Sequence, residues 1–308
     1  MKHVFGPVPS RRLGRSLGVD LLPFKTCSYD CIYCQLGRTT DKTINRFAWG
    51  NCDLIIKEII QEINSKKVDI ITFSGSGEPT LNENIGTLIE RVREKTDIPV
   101  AVLTNGSLLF LDEVSRDIRK ADLVIPSLDC GNDKSFQRIN RPCKGLEFTD
   151  MVKGLASFQR SFKGDFWLEI MLVKGFNDSP GEIREIKSLV DQIKPDKVQL
   201  NTVSRPPAEN YAAPVSSEKA LEIAGIIDQK AEMIRDIELS PELLEEMEKN
   251  ENRIAEMLKR RPCTVRQIAS SLSIHENEVV KYLQILEKKS KIKTKNFGGE
   301  LFYSWELQ

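Results

Sequence analysis

Only two histidines, His3 and His275, occur among the 308 residues of this chain. A Ser-His-Asp or Cys-His hydrolase needs an imidazole that the fold sets beside the nucleophile, and neither histidine lies in the motif-rich part of the sequence. That scarcity argues against hydrolysis. Charge of one sign is missing too: 45 basic residues balance 45 acidic ones, so no global field draws the protein to nucleic acid or to a membrane. No apolar run approaches the ~20 residues that span a bilayer, and Met1 to Gly6 leads into structured-looking sequence without an export signal. The expectation is a soluble, cytoplasmic protein with no membrane partner. The seven cysteines are an odd number and do not read as a disulfide framework. Ser74-Gly75-Ser76-Gly77 fails the nucleophile-elbow pattern because position 74 is Ser, and fails G-x-G-x-x-G because position 80 is Thr. With so few protein acids and bases suited to the task, a cofactor is expected to carry the chemistry.

What is present is a C-x₃-C-x₂-C triad, Cys27, Cys31 and Cys34. Three thiolates on one short loop hold three irons of a 4Fe-4S cube and leave the fourth open for a ligand. Bacterial ferredoxins use runs of C-x₂-C instead, and structural zinc sites use paired knuckles that close a tetrahedron. A zinc site completed by Cys52 stays as the alternative, at the cost of reaching across a long gap. Tyr33, inside the loop, is placed to cover the cluster and to help stack a base.

Strand-like and helix-like segments alternate from about residue 16 to 235, the pattern of a parallel α/β unit. Six strands are expected, near Ser16–Leu22, Ile70–Ser74, Val100–Thr104, Leu123–Leu128, Phe166–Leu172 and Lys197–Leu200. Apolar residues at 3.6-residue spacing lie between them, as in Leu54, Ile55, Ile59, Ile60 and Ile63. An acidic stretch over 238–252 suits a connecting helix. Beyond it, Thr264-Val265-Arg266-Gln267 and Ser273-Ile274-His275-Glu276 read as capping-box starts of two helices. Phe297-Gly298-Gly299-Glu300 reads as a hairpin turn. Three helices and a hairpin resemble a winged helix-turn-helix.

The cysteine loop, the turn Gly75-Ser76-Gly77-Glu78-Pro79 after a buried strand, and the strand ending in Thr104-Asn105-Gly106 resemble the radical S-adenosylmethionine superfamily. Gly6 to Gly14 and Val198 to Pro207 are more narrowly similar to a subgroup loosely related to the tRNA wyosine-forming enzymes. The resemblance implies an α/β fold, a partial (β/α)₆ TIM-type barrel over residues 1–237. A helical linker, 238–252, and a winged-helix domain, 253–308, would follow. It implies an enzyme that reductively cleaves S-adenosylmethionine to a 5'-deoxyadenosyl radical, with a 4Fe-4S cluster and an external flavodoxin- or ferredoxin-type electron donor. In barrels of this kind the active site gathers at the C-terminal strand ends, where all these motifs fall.

Carried over by position, Cys27, Cys31 and Cys34 ligate iron. Ser76, Gly77 and Glu78 meet the methionine amino group largely through backbone. Asn105 lies near the adenosyl group, Ser127 and Asp129 near ribose or the methionine carboxylate, and Asn201 near adenine or substrate. Each polar position also has a plainer reading as a strand-end or turn residue. Arg11, Arg12, Arg15 and Arg205 are candidates for an anionic substrate. Gly77 lets the main chain approach methionine closely, so a larger residue there should weaken cofactor binding and spare the cluster. Cys130, beside Asp129, reads as a small buried side chain or a hydrogen donor. Cys52, Cys130, Cys143 and Cys263 are scattered, which gives no second cluster and argues against tricyclic-base synthesis.

The substrate is unnamed by the sequence, with RNA and protein both open. Lys281, Lys288, Lys289, Lys291, Lys293 and Lys295 give the C-terminal segment a basic side fit for phosphates. Against DNA, Glu276 and Glu278 begin the helix that would enter a major groove. An iron-sulfur redox sensor acting through this segment is the competing function. Because the expected strands and cofactor motifs precede residue 252, the segment is expected to be dispensable for the cluster and for S-adenosylmethionine cleavage.

Overall fold

A computed structural model describes residues 3–204, 207–228, 231–234, 241–272, 274–297 and 300–306. Chain order begins with strands β1 (Val4–Ser10), β2 (Gly14–Val19), β3 (Thr26–Cys27) and β4 (Asp41–Lys42), then α1 (Cys52–Ser65), β5 (Ile70–Phe73), α2 (Ile85–Arg93) and β6 (Val100–Thr104). It continues with α3 (Asp112–Ile118), β7 (Leu123–Pro126), α4 (Asp133–Ile139), α5 (Phe148–Ser161), β8 (Asp165–Leu172), α6 (Pro180–Ile193) and β9 (Lys197–Thr202). The last elements are α7 (Ser217–Ile227), β10 (Glu232–Met233), α8 (Pro241–Arg260), α9 (Val265–Leu272), α10 (Glu276–Lys288), β11 (Ile292–Phe297) and β12 (Glu300–Trp305).

Eight strands form one sheet in the order β1-β2-β5-β6-β7-β8-β9-β10. Every pairing from β2 to β10 is parallel, and β1 lies antiparallel on the β2 edge. The six expected strands are present with ends shifted by a few residues. β1 was not anticipated, because Pro7 and Pro9 argue against a strand. An edge tolerates proline, since an outward position needs no ladder N–H. The helices form where the sequence supplies starts: Asn51 Oδ1 caps α1 by accepting from the amides of Asp53 and Leu54, and Ser179 caps α6 just before Pro180.

Period-two geometry divides each strand between two environments. On β8, Phe166, Leu168, Ile170 and Leu172 are buried in the main core, while Glu169 and Met171 point to the opposite face. On β9, Val198 and Leu200 join that core and Asn201 faces the other way. Ser16 and Gly18 on β2 and Thr72 on β5 share the Glu169 side. The sheet thus presents an apolar face to its helices and a partly polar face to a cavity of about 450 Å³.

α8 to α10 with the β11–β12 hairpin carry a second apolar cluster, built on Ile254, Leu258, Ile268, Val279, Leu283, Leu286 and Ile292. The α9 capping box is present: Thr264 N–H donates to Gln267 Oε1 at 3.1 Å and Gln267 N–H to Thr264 Oγ1 at 3.3 Å. Ser273 and the tip residues Gly298 and Gly299 lie outside the described residues. α10 is capped by His275, whose Nδ1 accepts the Asn277 amide at 3.1 Å. α8 runs from Pro241 to Arg260 without a break at residue 252, since it contains no interior glycine or proline.

Candidate functional site

The cysteine loop is fixed from several elements before any ligand is considered. Ile32 is fully buried, and its amide donates to Ile139 O at 2.9 Å. Asp30 N–H donates to Asn140 O at 2.9 Å, and Cys143 N–H to Ser28 O at 2.8 Å. Ser28 Oγ pairs with Ser107 Oγ at 2.7 Å. Arg141 ties the loop to the segment after β9, reaching Glu209 Oε1 at 2.6 Å and Asp30 Oδ2 at 3.6 Å.

Each of the three thiols has a side-chain N–H donor beside it, and each of these donors comes from a different place. Asn105 Nδ2 lies 3.6 Å from Cys27 Sγ, Asn140 Nδ2 3.5 Å from Cys31 Sγ, and Lys25 Nζ 3.4 Å from Cys34 Sγ. Such donors stabilise negative sulfur and tune an iron-sulfur centre. Burial, with Glu78 nearby, pushes the Cys27 thiol up to about 12; burial and Asp129 push Cys31 well up. Buried thiols in that state are poor nucleophiles and become ligands only when a cation displaces their protons. One more observation fits a bound group. The Tyr29 hydroxyl is buried without a hydrogen-bond partner among the described residues, within the electrostatic reach of Cys27 and Cys31. An orphaned donor beside thiolates is suited to a cluster sulfide. A 4Fe-4S cluster on Cys27, Cys31 and Cys34 therefore fits the donor set.

Beside the loop, the turn after β5 runs along residues 25 and 26. Lys25 N–H donates to Ser76 O at 3.0 Å, and Glu78 N–H donates to Thr26 O at 3.2 Å. Gly77 sits between these bonds, and a Cβ there would lie 1.8 Å from Thr26 O. A side chain at position 77 would therefore press on the cysteine loop, in addition to taking the space that the methionine is expected to need. Ser74, Gly75, Ser76 and Gly77 line the cavity. Glu78 does not line it. Its fully committed carboxylate accepts from Thr80 N–H at 3.1 Å, Thr80 Oγ1 at 2.6 Å, Thr104 Oγ1 at 2.6 Å and Asn105 N–H at 2.6 Å. Burial still holds its pKa above the ordinary value.

The other sequence-derived positions divide into two groups. Arg11, Arg12 and Asn201 line the cavity with the cysteine loop. Arg11 Nη2 donates to Asn201 Oδ1 at 3.4 Å, Asn201 Nδ2 to Glu169 Oε1 at 3.2 Å, and Arg12 Nη1 to Gln199 Oε1 at 3.0 Å. Arg12 also pairs with Glu169. Burial would raise Glu169, but the Arg12 charge and hydrogen bond, with Asn201 and Arg11, hold its pKa below the usual value. Asn105, Ser127 and Asp129 stand behind the wall. Asn105 faces Cys27 and Ser28, Ser127 bridges β7 to Glu169, and Asp129 accepts from Tyr33 Oη, Asn140 Nδ2 and Met171 N–H. Arg15 is not at the cavity. Ser16 and Gly18 take the inward positions of β2, which turns Arg15 onto Asp69 at 2.7 and 3.1 Å. Arg205 lies outside the described residues. Cys130 is buried, its Sγ 3.1 Å from Asn140 Oδ1.

Sequence reasoning missed Asp20, Lys25, Asn140 and Glu169. Only Glu169 carried a local signal, an acid inside the apolar strand Phe-Trp-Leu-Glu-Ile-Met-Leu. It also missed that α10 reaches the site: Asn277 and Lys281 line the cavity.

A three-thiol loop at the edge of a cavity on a parallel α/β sheet defines a class, the radical S-adenosylmethionine proteins. The model of the Radical SAM superfamily matches residues 21–187, and the chain belongs to that superfamily. Its cofactors are accordingly a 4Fe-4S cluster and S-adenosylmethionine. The chain is 39% identical over 232 residues to the UPF0026 protein of Methanocaldococcus jannaschii, covering 74% of this chain and 72% of that one. It is 41% identical over 309 residues to the GTPase Obg of Brachyspira hyodysenteriae, covering 98% of this chain but 45% of that protein. This chain thus spans less than half of that relative, and it holds no G-x-x-x-x-G-K-[ST] phosphate loop. The fold is similar to the crystal structure of a radical SAM methyltransferase from Sphaerobacter thermophilus, with a TM-score of 0.54 at 16% identity over 71% of this chain and 66% of that one. No helix among the described residues is long and apolar enough to cross a membrane.

Proposed function

We propose that the protein generates a 5'-deoxyadenosyl radical and uses it to abstract hydrogen from a substrate bound in the cavity beneath the cysteine loop. The observation that carries this reading is a loop that gathers three thiols, each beside a side-chain N–H donor, with Cys27 and Cys34 lining the same cavity as the Ser74–Gly77 turn. When bound, the reduced cluster supplies the electron that cleaves the sulfonium of S-adenosylmethionine. Cys27, Cys31 and Cys34 would hold three irons. The Ser76–Gly77 backbone would receive the methionine end, and Tyr33 would close one side against water. Arg11, whose partner Asn201 is neutral, carries its charge into the cavity and suits an anionic group on cofactor or substrate, whereas Arg12 is spent on Glu169.

In this reading the parallel strands form a partial (β/α)₆ barrel, with a C-terminal winged helix-turn-helix module. RNA and protein are the substrate classes to be tested, with an external flavodoxin- or ferredoxin-type donor supplying the electron. DNA reading by α10 is disfavoured, because its first turn packs on the sheet, Glu278 Oε1 accepting the Gly6 amide at 3.0 Å. That contact also gives a redox sensor a route from the cluster region to the module. The two functions separate in one experiment: anaerobic protein with reductant and S-adenosylmethionine, assayed for 5'-deoxyadenosine and for the paramagnetic spectrum of the cluster. Product and a spectral change support the enzyme. A cluster indifferent to S-adenosylmethionine supports the sensor, and stoichiometric zinc without iron rejects both.

A further inference from the structure

Besides the Glu278 contact with β1, the first turn of α10 meets a buried carboxylate just beyond β2. Asn277 Nδ2 donates to Asp20 Oδ2 at 3.2 Å, and His275 Nε2 stands 3.7 Å from the same oxygen. The Phe5 ring stacks on His275 at 4.7 Å. That Asp20 oxygen also accepts the Ser76 amide at 2.9 Å and the Ser76 hydroxyl at 2.6 Å. Asp20, Ser76 and Asn277 are all buried, at 4%, 3% and 8% exposure, so water is a poor substitute for any missing donor. The turn closes tightly on this carboxylate: a Cβ on Gly75 would lie 2.3 Å from Asp20 Cγ. One turn further along α10, Lys281 joins Asn277 in the cavity wall.

We propose that the C-terminal module is a working part of the S-adenosylmethionine site, with Asn277 and His275 acting through Asp20 as positioning residues for the Ser76–Gly77 turn. The proposal rests on the reading of that turn as the cofactor turn. A buried carboxylate needs its donors. With α10 docked, Asp20 is held and presents a fixed acceptor to Ser76. With α10 displaced, it loses Asn277 and gains solvent, and the turn loses its anchor. Coupling of this kind is reciprocal, so S-adenosylmethionine must tighten the docking of α10 by the factor that docking tightens the cofactor. The earlier expectation that the segment is dispensable for the cofactor chemistry is revised accordingly. The motifs do precede residue 252, but the carboxylate supporting one of them is completed from position 277.

The test uses full-length, cluster-loaded protein. Asn277→Leu removes the donor, and Asn277→Asp sets a second carboxylate beside Asp20. Both should retain iron while the dissociation constant for S-adenosylmethionine rises roughly tenfold or more. Amide exchange at Ser76 and Gly77 should quicken in these variants before cofactor is added. In wild-type protein S-adenosylmethionine should slow exchange over residues 275–281, a readout that needs no variant. Lys289→Ala breaks the Lys289–Glu251 pair within the module and should leave cofactor affinity unchanged, which separates positioning from general loosening. Should the leucine variant fail to fold, Asn277→Ser is too short to reach Asp20 and serves in its place. Wild-type binding with unaltered Asn277 variants, or with no protection of α10, overturns the proposal alone. A cluster-bearing wild type that does not bind S-adenosylmethionine overturns the cofactor reading and this proposal with it.

Discussion

Gly77→Ala is expected to cost the protein its cluster as well as its cofactor. The added Cβ would stand 1.8 Å from Thr26 O and 2.9 Å from Leu22 Cδ1. Ordinary contact begins near 3.4 Å, so Thr26 must retreat by about 1.6 Å. That retreat breaks the Glu78 N–H to Thr26 O bond and shifts the residue next to Cys27. Overpacking against backbone costs ~1–3 kcal/mol, and a buried amide left unpaired costs another ~1–3 kcal/mol. The sum, about 2–6 kcal/mol, is a large share of a total stability of ~5–15 kcal/mol. A fall in thermal midpoint of roughly 5–20 °C follows for a domain of this size. Iron per chain and calorimetric melting under anaerobic conditions measure both effects. Wild-type iron content with a midpoint within about 2 °C of wild type would refute the reasoning and leave the expectation that a larger residue at position 77 spares the cluster.

Cys27→Ala, Cys31→Ala and Cys34→Ala should each abolish the cluster, whereas Cys52→Ala, at the start of α1, should keep full iron content, read by iron analysis and absorbance. Asn140→Leu removes the donor to Cys31 Sγ and should move the cluster to a more negative potential. One hydrogen bond of ~1 kcal/mol corresponds to about 40 mV for one electron, and an unshifted redox titration would dismiss the role. Arg141→Met should destabilise the apoprotein by about 1 kcal/mol at neutral pH. Its hydrogen bond, opposed by burial and helped by Arg38, holds the Glu209 carboxyl below the usual range. A lowered carboxyl stabilises above its ordinary titration range, and the gain is lost as pH falls through the lowered value. The gap between wild type and variant should therefore be flat near neutrality and close only in acid, as read by denaturant midpoints across pH.

The parts of this site that are contiguous in the chain were legible in the sequence. The triad lies within eight residues, so its spacing alone announces convergence, and parallel strands announce themselves as short apolar runs between helical periods. Gly77 was legible as a close approach but not as an approach to Thr26, because the partner lies some fifty residues away and pairs only once the turn has closed on the loop. Arg15 lies on Asp69 rather than in the cavity wall for a related reason. Alternation on β2 decides its side, and the phase of that alternation is set by Leu17 and Val19 entering the core. Asn140 gave no warning, since a turn residue after a short helix looks like any other until Cys31 is brought beside it.

The C-terminal module shows how a correct local reading can conceal a longer-range role. His275, Glu276, Asn277 and Glu278 form a helix start rich in acceptors and acids, and the helix dipole explains such a set without further help. His275 does cap α10 through Nδ1. The same residue turns its other nitrogen toward Asp20, while Asn277 and Glu278 donate to and accept from the sheet. One of the acids that argued against a DNA-reading helix, Glu278, therefore acquires a positive account. Glu278 accepts the Gly6 amide at the antiparallel edge, where β1 leaves its register between Phe5 and Val8. An edge strand that needs covering and a carboxylate that needs a donor are both met by one turn of helix. A sequence change that loosens α10 should for that reason be felt first at β1 and at Ser76, before the module's own core around Leu283 gives way.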